Sequence, residues 1–304
     1  MIDEETREIL QKQHYKVVGN HSAVKVCHWL RKSIRDEGHC YKQQFYGIKS
    51  HRCLQMTPAV VWCTQKCVFC WRNIEKTAGI TLEEFDEPTK IIDAAIEAQR
   101  KLISGFGGIP ERINRKKFKE AQDPNQAAIS LAGEPTIYPK ISELIGEFNR
   151  RDFTTFLVTN GTLPERIEAM DNLPTNLYVS IDAPNEEIYR KTCNPIIPDG
   201  WERFNRTLDL FPSMDTTKVV RITLVKDFNL VEPGLYSPLL ERAQPDFIEV
   251  KSYMHVGSSI ERLPEDSMPG FQEIEEFSRI LAEDISYDIK DWKEDSRVVL
   301  LSKK

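Results

Sequence analysis

VVWCTQKCVFCWR, residues 60–72, sets Cys63, Cys67 and Cys70 in a CxxxCxxC spacing directly after an apolar run. Thiolates this close together are soft ligands for zinc or for an iron–sulfur cluster. A zinc ribbon uses two cysteine knuckles across a longer loop and a fourth ligand, but no His or Cys follows closely here. Iron–sulfur clusters are ordinarily held by four thiolates, so a three-thiolate loop leaves one iron free to bind something else. Chemistry is expected at that open position.

Moving outward, β-rich runs at 57–63, 127–134, 154–160, 176–182, 218–225 and 247–254 alternate with amphipathic stretches such as IIDAAIEAQRKLI, ISELIGEFNRR and EEFSRILAEDI. Strands apolar on both faces, joined by helical crossovers, are the pattern of a parallel sheet. Six such units predict an α/β chain with a partial (β/α)6 TIM-like barrel, and a doubly wound open sheet is the competing arrangement. Residues 1–56, 108–126 and 286–304 lack this rhythm. They are expected to pack as N-terminal, internal and C-terminal elaborations on a barrel of residues 57–285.

Parallel barrels place their sites at the carboxyl ends of the strands. Here those ends read Cys63, Gly133-Glu134, Asn160-Gly161, Ser180 to Asp182, Lys226, and Lys251 to His255. Gly, Asn and Asp also end strands simply because they form turns. Period two along the last strand puts Glu249, Lys251 and Tyr253 on one face, with His255 at the rim. That face is expected to line a substrate pocket, and a Glu249–Lys251 ion pair is the plain alternative.

The formal net charge of -6 gives no global attraction to nucleic acid. An anionic partner has to be held locally, by the run Arg112, Arg115, Lys116, Lys117 and Lys119 and by Arg31, Lys32, Arg35, Lys49 and Arg52. No apolar leader and no apolar run of membrane-spanning length occurs, so the chain reads as cytoplasmic. In that compartment seven cysteines are metal ligands or reactive thiols rather than disulfides. Cys27, Cys40 and Cys53 lie in a polar, basic segment without clear apolar periodicity. They are either a second open cluster or small buried hydrophobes. Cys193, in KTCNP, belongs to neither triplet and is expected to pack.

CxxxCxxC after the first strand of a (β/α) barrel, with Phe69 just before the last cysteine, resembles the radical S-adenosylmethionine (SAM) enzymes. Ser130-Leu131-Ala132-Gly133-Glu134-Pro135-Thr136 is similar to that family's GGEP motif, with Ala132 in place of the first glycine. The resemblance implies a [4Fe-4S] cluster on Cys63, Cys67 and Cys70 whose fourth iron is chelated by SAM. One electron then splits the sulfonium to give a 5′-deoxyadenosyl radical. It also implies that Gly133, Glu134 and Pro135 meet the cofactor's ammonium, and that Asn160, Ser180 and Asp182 meet its carboxylate and ribose.

The blocks VKVCHWLRKSI, CYKQQFYGIKSHRC, CVFCWR, ISLAGEPT, TTFLVTNGT, FIEVKSYMHVG and EDSRVVLL resemble the archaeal tRNA 4-demethylwyosine synthases over most of the chain. This implies an auxiliary [4Fe-4S] cluster on Cys27, Cys40 and Cys53, and a Schiff base between Lys42 and pyruvate. Direct binding of pyruvate by the auxiliary iron is the alternative. The implied substrate is N1-methylguanosine-37 of tRNA(Phe), read as a single-stranded loop with the purine turned out, and pyruvate loses its carboxyl carbon. Eukaryotic relatives carry a fused flavodoxin domain. This chain has no sequence for one, so an external flavodoxin- or ferredoxin-type donor is expected, acting on a monomer. Two other readings stay open: a radical enzyme with an auxiliary cluster acting on a peptide or other substrate, and a zinc-stabilised RNA-binding protein.

Overall fold

The computed structural model describes residues 1–304, which divide into two compact units. The first comprises residues 1–62, 78–158 and 170–175. Its strands are β1 (Lys16–Val18), β2 (Ser22–Val24), β3 (Cys53–Thr57), β4 (Gln126–Ile129) and β5 (Thr154–Thr159), hydrogen-bonded in that order. β2 is antiparallel to both β1 and β3, whereas β3, β4 and β5 are parallel. Parallel neighbours need crossovers, and the helices Pro88–Ile103 and Ile141–Arg150 supply them. The first starts with Pro at a position where no amide hydrogen is needed, and buries Ile91, Ile92, Ala95, Ala98 and Ile103 along one stripe. The second buries Ile141, Leu144, Ile145 and Phe148 in the same way.

The second unit comprises residues 63–77, 159–169 and 176–304. β6 (Asn176–Ser180), β7 (Thr217–Leu224) and β8 (Phe247–Ser252) are parallel, with the helices Glu186–Cys193, Gly200–Leu210 and Ser237–Ala243 between them. After the helix Phe271–Asp284 the chain forms a hairpin of β9 (Tyr287–Lys293) and β10 (Val298–Lys303). β10 then pairs antiparallel with β8, Val298 level with Lys251. No helix is long and apolar enough to cross a membrane.

Two sequence expectations need correction. The first parallel strand lies at Cys53–Thr57, not at 57–63, so most of it falls within the segment assigned to the N-terminal extension. Pro58 lacks the amide hydrogen a ladder requires, and the apolar run after it is buried without being a strand. Val60 N donates to His21 O at 3.1 Å and Ala78 N to Val61 O at 2.8 Å. The tail after Ser286 is also no mere cover, because it contributes two strands to the sheet of its unit.

Candidate functional site

In the second unit, Cys63, Cys67 and Cys70 are half-buried on a loop fastened along both halves. Its first half lies on the last turn of the helix Glu186–Cys193 and the segment after it: Lys66 N donates to Asn194 O at 3.0 Å, Val68 N to Thr192 O at 3.0 Å, and Ile196 N to Thr64 O at 2.8 Å. Gln65 Nε2 donates to Tyr189 Oη at 2.9 Å. Asn160 Nδ2 donates to Thr64 Oγ1 at 2.9 Å and reaches Cys63 Sγ at 3.9 Å, while its Oδ1 accepts from Thr162. Asn160, expected to meet the cofactor, also orients the first cysteine.

The second half of the loop meets the chain after β8. Ser258 N donates to Trp71 O at 2.9 Å, and Arg262 donates from Nε to Val68 O at 3.1 Å and from Nη2 to Cys70 O. Val68 and Phe69 pack on Val225, Tyr253 and Leu263. Tyr253 is therefore buried in this apolar cluster, its Oη on Ser259 Oγ at 3.2 Å, rather than presented to a pocket. His255 Nε2 bonds Leu263 O at 2.9 Å, further securing the same segment. Cys193 is buried with Ala183 and Tyr189, and its hydrogen bond with Cys67, together with burial, holds the Cys67 thiol well above its ordinary pKa. The packing role expected of Cys193 fits this position.

At the neighbouring strand ends, Asp182 Oδ1 accepts from Thr223 N at 2.9 Å, and burial pushes its carboxyl up to about 6. Ser180 ends β6 two residues earlier. Asn229, fully buried and not anticipated, braces this corner: its Nδ2 donates to Asp182 O and Thr223 O, both at 2.8 Å, and its Oδ1 accepts from Val225 N. Glu249 is buried on β8, accepting from Tyr178 Oη at 2.8 Å and from Arg221 Nη2 at 3.1 Å. The register sets Arg221 level with Glu249, and this cross-strand ion pair was not foreseen. Lys251, two residues on, is half-buried on the same strand.

In the first unit, Gly133 has φ +70, and a Cβ there would collide with Ala59 O and Trp62 O. Only glycine tolerates both constraints. Glu134 N donates at 2.8 Å to the carbonyl of Trp62, the residue before Cys63. The Glu134 carboxylate caps the turn, accepting from Thr136 N at 3.0 Å and from Thr136 Oγ1 at 2.6 Å, with Pro135 between them.

The second triplet lies in the same unit. The register of β2 on β3 continues with Lys25 N donating to Gln55 O at 3.2 Å, and carried two residues further it sets Cys27 level with Cys53. Cys27 Sγ accepts from Leu30 N at 3.3 Å, capping the helix His28–Ile34. Cys40 heads the helix Tyr41–Tyr46, and its amide donates to Ser50 Oγ at 2.9 Å. Burial and the Cys40 thiol push Cys27 up to about 12, and burial with the Cys27 and Cys40 thiols raises Cys53 as well, with Lys42 opposing that rise. Lys42 is only 7% exposed, with its Nζ 4.1 Å from the Phe156 ring centre. Gln55, Ala128 and Phe156 are level across β3, β4 and β5, so strand alternation puts Phe156 and Cys53 on one face. Neither triplet converges on a point that a single metal ion would fill.

The basic tract forms a short helix, Arg115–Glu120, that packs through Phe118 and Ile113 against Leu30 and Ile34 of the helix that Cys27 begins. Arg112, Arg115, Lys116 and Lys119 are exposed, as are Arg31 and Arg35. Lys117 instead pairs with Asp36 at 2.6 Å.

The donor sets fit iron–sulfur clusters: two groups of three cysteines, one of them on a loop that also holds Arg72. That arginine is 3% exposed, donates from Nη1 to Thr77 Oγ1 at 2.8 Å, and keeps Nε and Nη2 buried without an acceptor. Buried cationic donors suit an anionic group.

Residues 57–233 match the Radical SAM superfamily, and residues 242–303 match the family described as wyosine base formation. The chain is 52% identical over 302 residues to the S-adenosyl-L-methionine-dependent tRNA 4-demethylwyosine synthase of Pyrococcus horikoshii, covering 98% of this chain and 88% of that one. The Methanocaldococcus jannaschii protein of the same name is 43% identical, with 99% and 96% covered. A solved structure of TYW1 with a lysine-pyruvate adduct bound superposes with a TM-score of 0.91 at 42% identity, covering 100% of this chain and 97% of that one. The expected fold class, a partial (β/α)6 barrel of the radical SAM type, is thereby established. By this agreement along its length, the chain belongs to the family of S-adenosyl-L-methionine-dependent tRNA 4-demethylwyosine synthases.

Proposed function

We propose that the chain condenses N1-methylguanosine-37 of tRNA(Phe) with pyruvate to form 4-demethylwyosine, as a radical carbon–carbon lyase that removes the pyruvate carboxyl carbon. Cys63, Cys67 and Cys70 hold one [4Fe-4S] cluster, and Cys27, Cys40 and Cys53 an auxiliary one. The first cluster, with SAM and one electron from an external flavodoxin- or ferredoxin-type donor, supplies a 5′-deoxyadenosyl radical. Gly133 to Pro135, Asn160, Ser180 and Asp182 hold SAM beside it.

Lys42 supports this reading most directly. Its amine is buried over Phe156 beside three clustered thiols, in a chain that aligns end to end with a TYW1 solved with a lysine-pyruvate adduct. An amine condenses with a ketone through its neutral form, and exclusion of water protects the adduct from hydrolysis. Exposed Arg31, Arg35, Arg112, Arg115, Lys116 and Lys119 contact phosphates of the anticodon arm, so binding falls steeply with salt. Glu249 and Lys251 position substrate.

The test is an anaerobic assay with N1-methylguanosine-containing tRNA, SAM, reductant and labelled pyruvate. Label in a tricyclic nucleoside is expected. Deoxyadenosine without label in RNA would point to another substrate, and tightly bound zinc without charge-transfer absorbance would refute the catalytic reading.

A further inference from the structure

The loop bearing Cys63, Cys67 and Cys70 is completed by a side chain far away in sequence. Arg262 lies 192 residues from Cys70, yet its Nη2 donates to the Cys70 carbonyl and its Nε to that of Val68 at 3.1 Å. Ser258 N fixes Trp71 O at 2.9 Å. Gly257, at φ +62, lies so close to Trp71 that a Cβ would strike its carbonyl. Tyr253 and Leu263 press on Val68 and Phe69 from the same segment. All these contacts come from the region matched to wyosine base formation, residues 242–303, and not from the stretch matched to the Radical SAM superfamily, residues 57–233.

Two physical effects follow from this clamp. The residues from Val68 to Trp71 lack regular secondary structure, and a planar guanidinium bridging carbonyls two residues apart fixes their turn. Arginine is also permanently charged, and where it is partly buried its field is screened less than at the surface. Reducing a [4Fe-4S] cluster adds one negative charge, and local charge and hydrogen bonding are among the factors that set its potential. A fixed cation one peptide group from a ligating cysteine favours the reduced form.

We propose that Arg262 is a positioning residue for the cluster on Cys63, Cys67 and Cys70, shaping its loop and raising its reduction potential so that the one-electron step is easier. This rests on those three cysteines holding that cluster.

The experiment uses the full chain in a C27S/C40S/C53S background, reconstituted anaerobically so that one cluster is read alone. Wild-type Arg262, R262K and R262Q are compared by iron content, potentiometric titration, the electron paramagnetic resonance (EPR) spectrum of the reduced cluster with and without SAM, and the rate of iron loss to a chelator. R262Q is expected to take up about four irons, to titrate at a lower potential and to lose iron about tenfold faster, as for loss of a charge-assisted hydrogen bond. R262K should restore the potential but not the retention, because it keeps the charge without the fork. R262Q with unchanged potential and retention overturns the proposal. Should R262Q fail to load, R262K decides alone: unchanged retention and an unchanged EPR spectrum overturn the clamp. If C63S, C67S and C70S still load about four irons in this background, the cluster assignment fails instead, a separate result.

Discussion

The Nζ of Lys42 stands 4.1 Å from the centre of the Phe156 ring, on the sheet face that Cys53 shares. An amine so placed can be trapped. Incubation with pyruvate and a hydride reductant is expected to add the mass of reduced pyruvate to the peptide containing Lys42. Lys42→Arg should abolish both the added mass and the tricyclic product while leaving iron content unchanged. Trapping of equal extent in the variant would remove Lys42 from the mechanism.

Cys27 follows β2 on the line that its register extends towards Cys53, Cys40 heads the helix Tyr41–Tyr46, and both thiols act on that of Cys53. Replacing all three with serine should lower the iron from about eight to about four per chain after anaerobic reconstitution. SAM should still perturb the remaining cluster's EPR spectrum. Equal iron in wild type and variant would dismiss the auxiliary cluster.

Gly133 combines φ +70 with backbone carbonyls where a Cβ would stand. Gly133→Ala therefore incurs positive-φ strain and displaces the Trp62 carbonyl, at a cost of about 2 kcal/mol or more. A lowered denaturant midpoint at unchanged slope is the expected result. Pro135→Ala, in the same turn, should cost less than half as much.

His21 is fully buried, its Nδ1 donating to Pro58 O at 2.5 Å and its Nε2 accepting from Asp86 N at 2.9 Å. Burial holds its pKa below the ordinary 6.5. The folded chain thus keeps His21 neutral where the unfolded chain has taken up a proton. Stability is full above that ordinary value and falls as pH drops below it, by up to about 1.4 kcal/mol per pH unit, levelling off below the lowered native value. His21→Asn retains a donor for Pro58 without a titrating ring. Urea melts between weakly acid and neutral pH should show a flatter profile for it than for wild type.

Much of the frame is legible in the sequence, for identifiable reasons. β4 through β8 overlap the expected runs because each carries a core of buried apolar residues, continuous in β4 to β6 and interrupted by Arg221 in β7 and by Glu249 and Lys251 in β8. The same signal misplaces β3, since Ala59 to Trp62 are apolar from burial alone and Pro58 has already ended the ladder. The motif cysteines are plain from spacing, but the approach of Cys27 to Cys53 depends on the pairing of β3 with β2, a strand of three residues too short to stand out. Arg262, Arg72 and Asn229 escape notice for another reason. Arg262 and Asn229 bond to backbone groups brought up by the fold, and Arg72 keeps two buried nitrogens without an acceptor, and such work leaves no local periodicity. Tyr253 shows the limit of alternation, which gives a face but not what covers it.

The pairing of β10 with β8 has a practical consequence for anyone handling the protein. A parallel strand left open along one side would offer its amides to any neighbouring molecule, a route to aggregation. β10 occupies that side, and beyond it β9 carries the exposed Asp288, a charge that discourages further pairing. Trimming Val298 to Lys303 should therefore yield insoluble material, whereas an affinity tag appended after Lys304 leaves the seam intact.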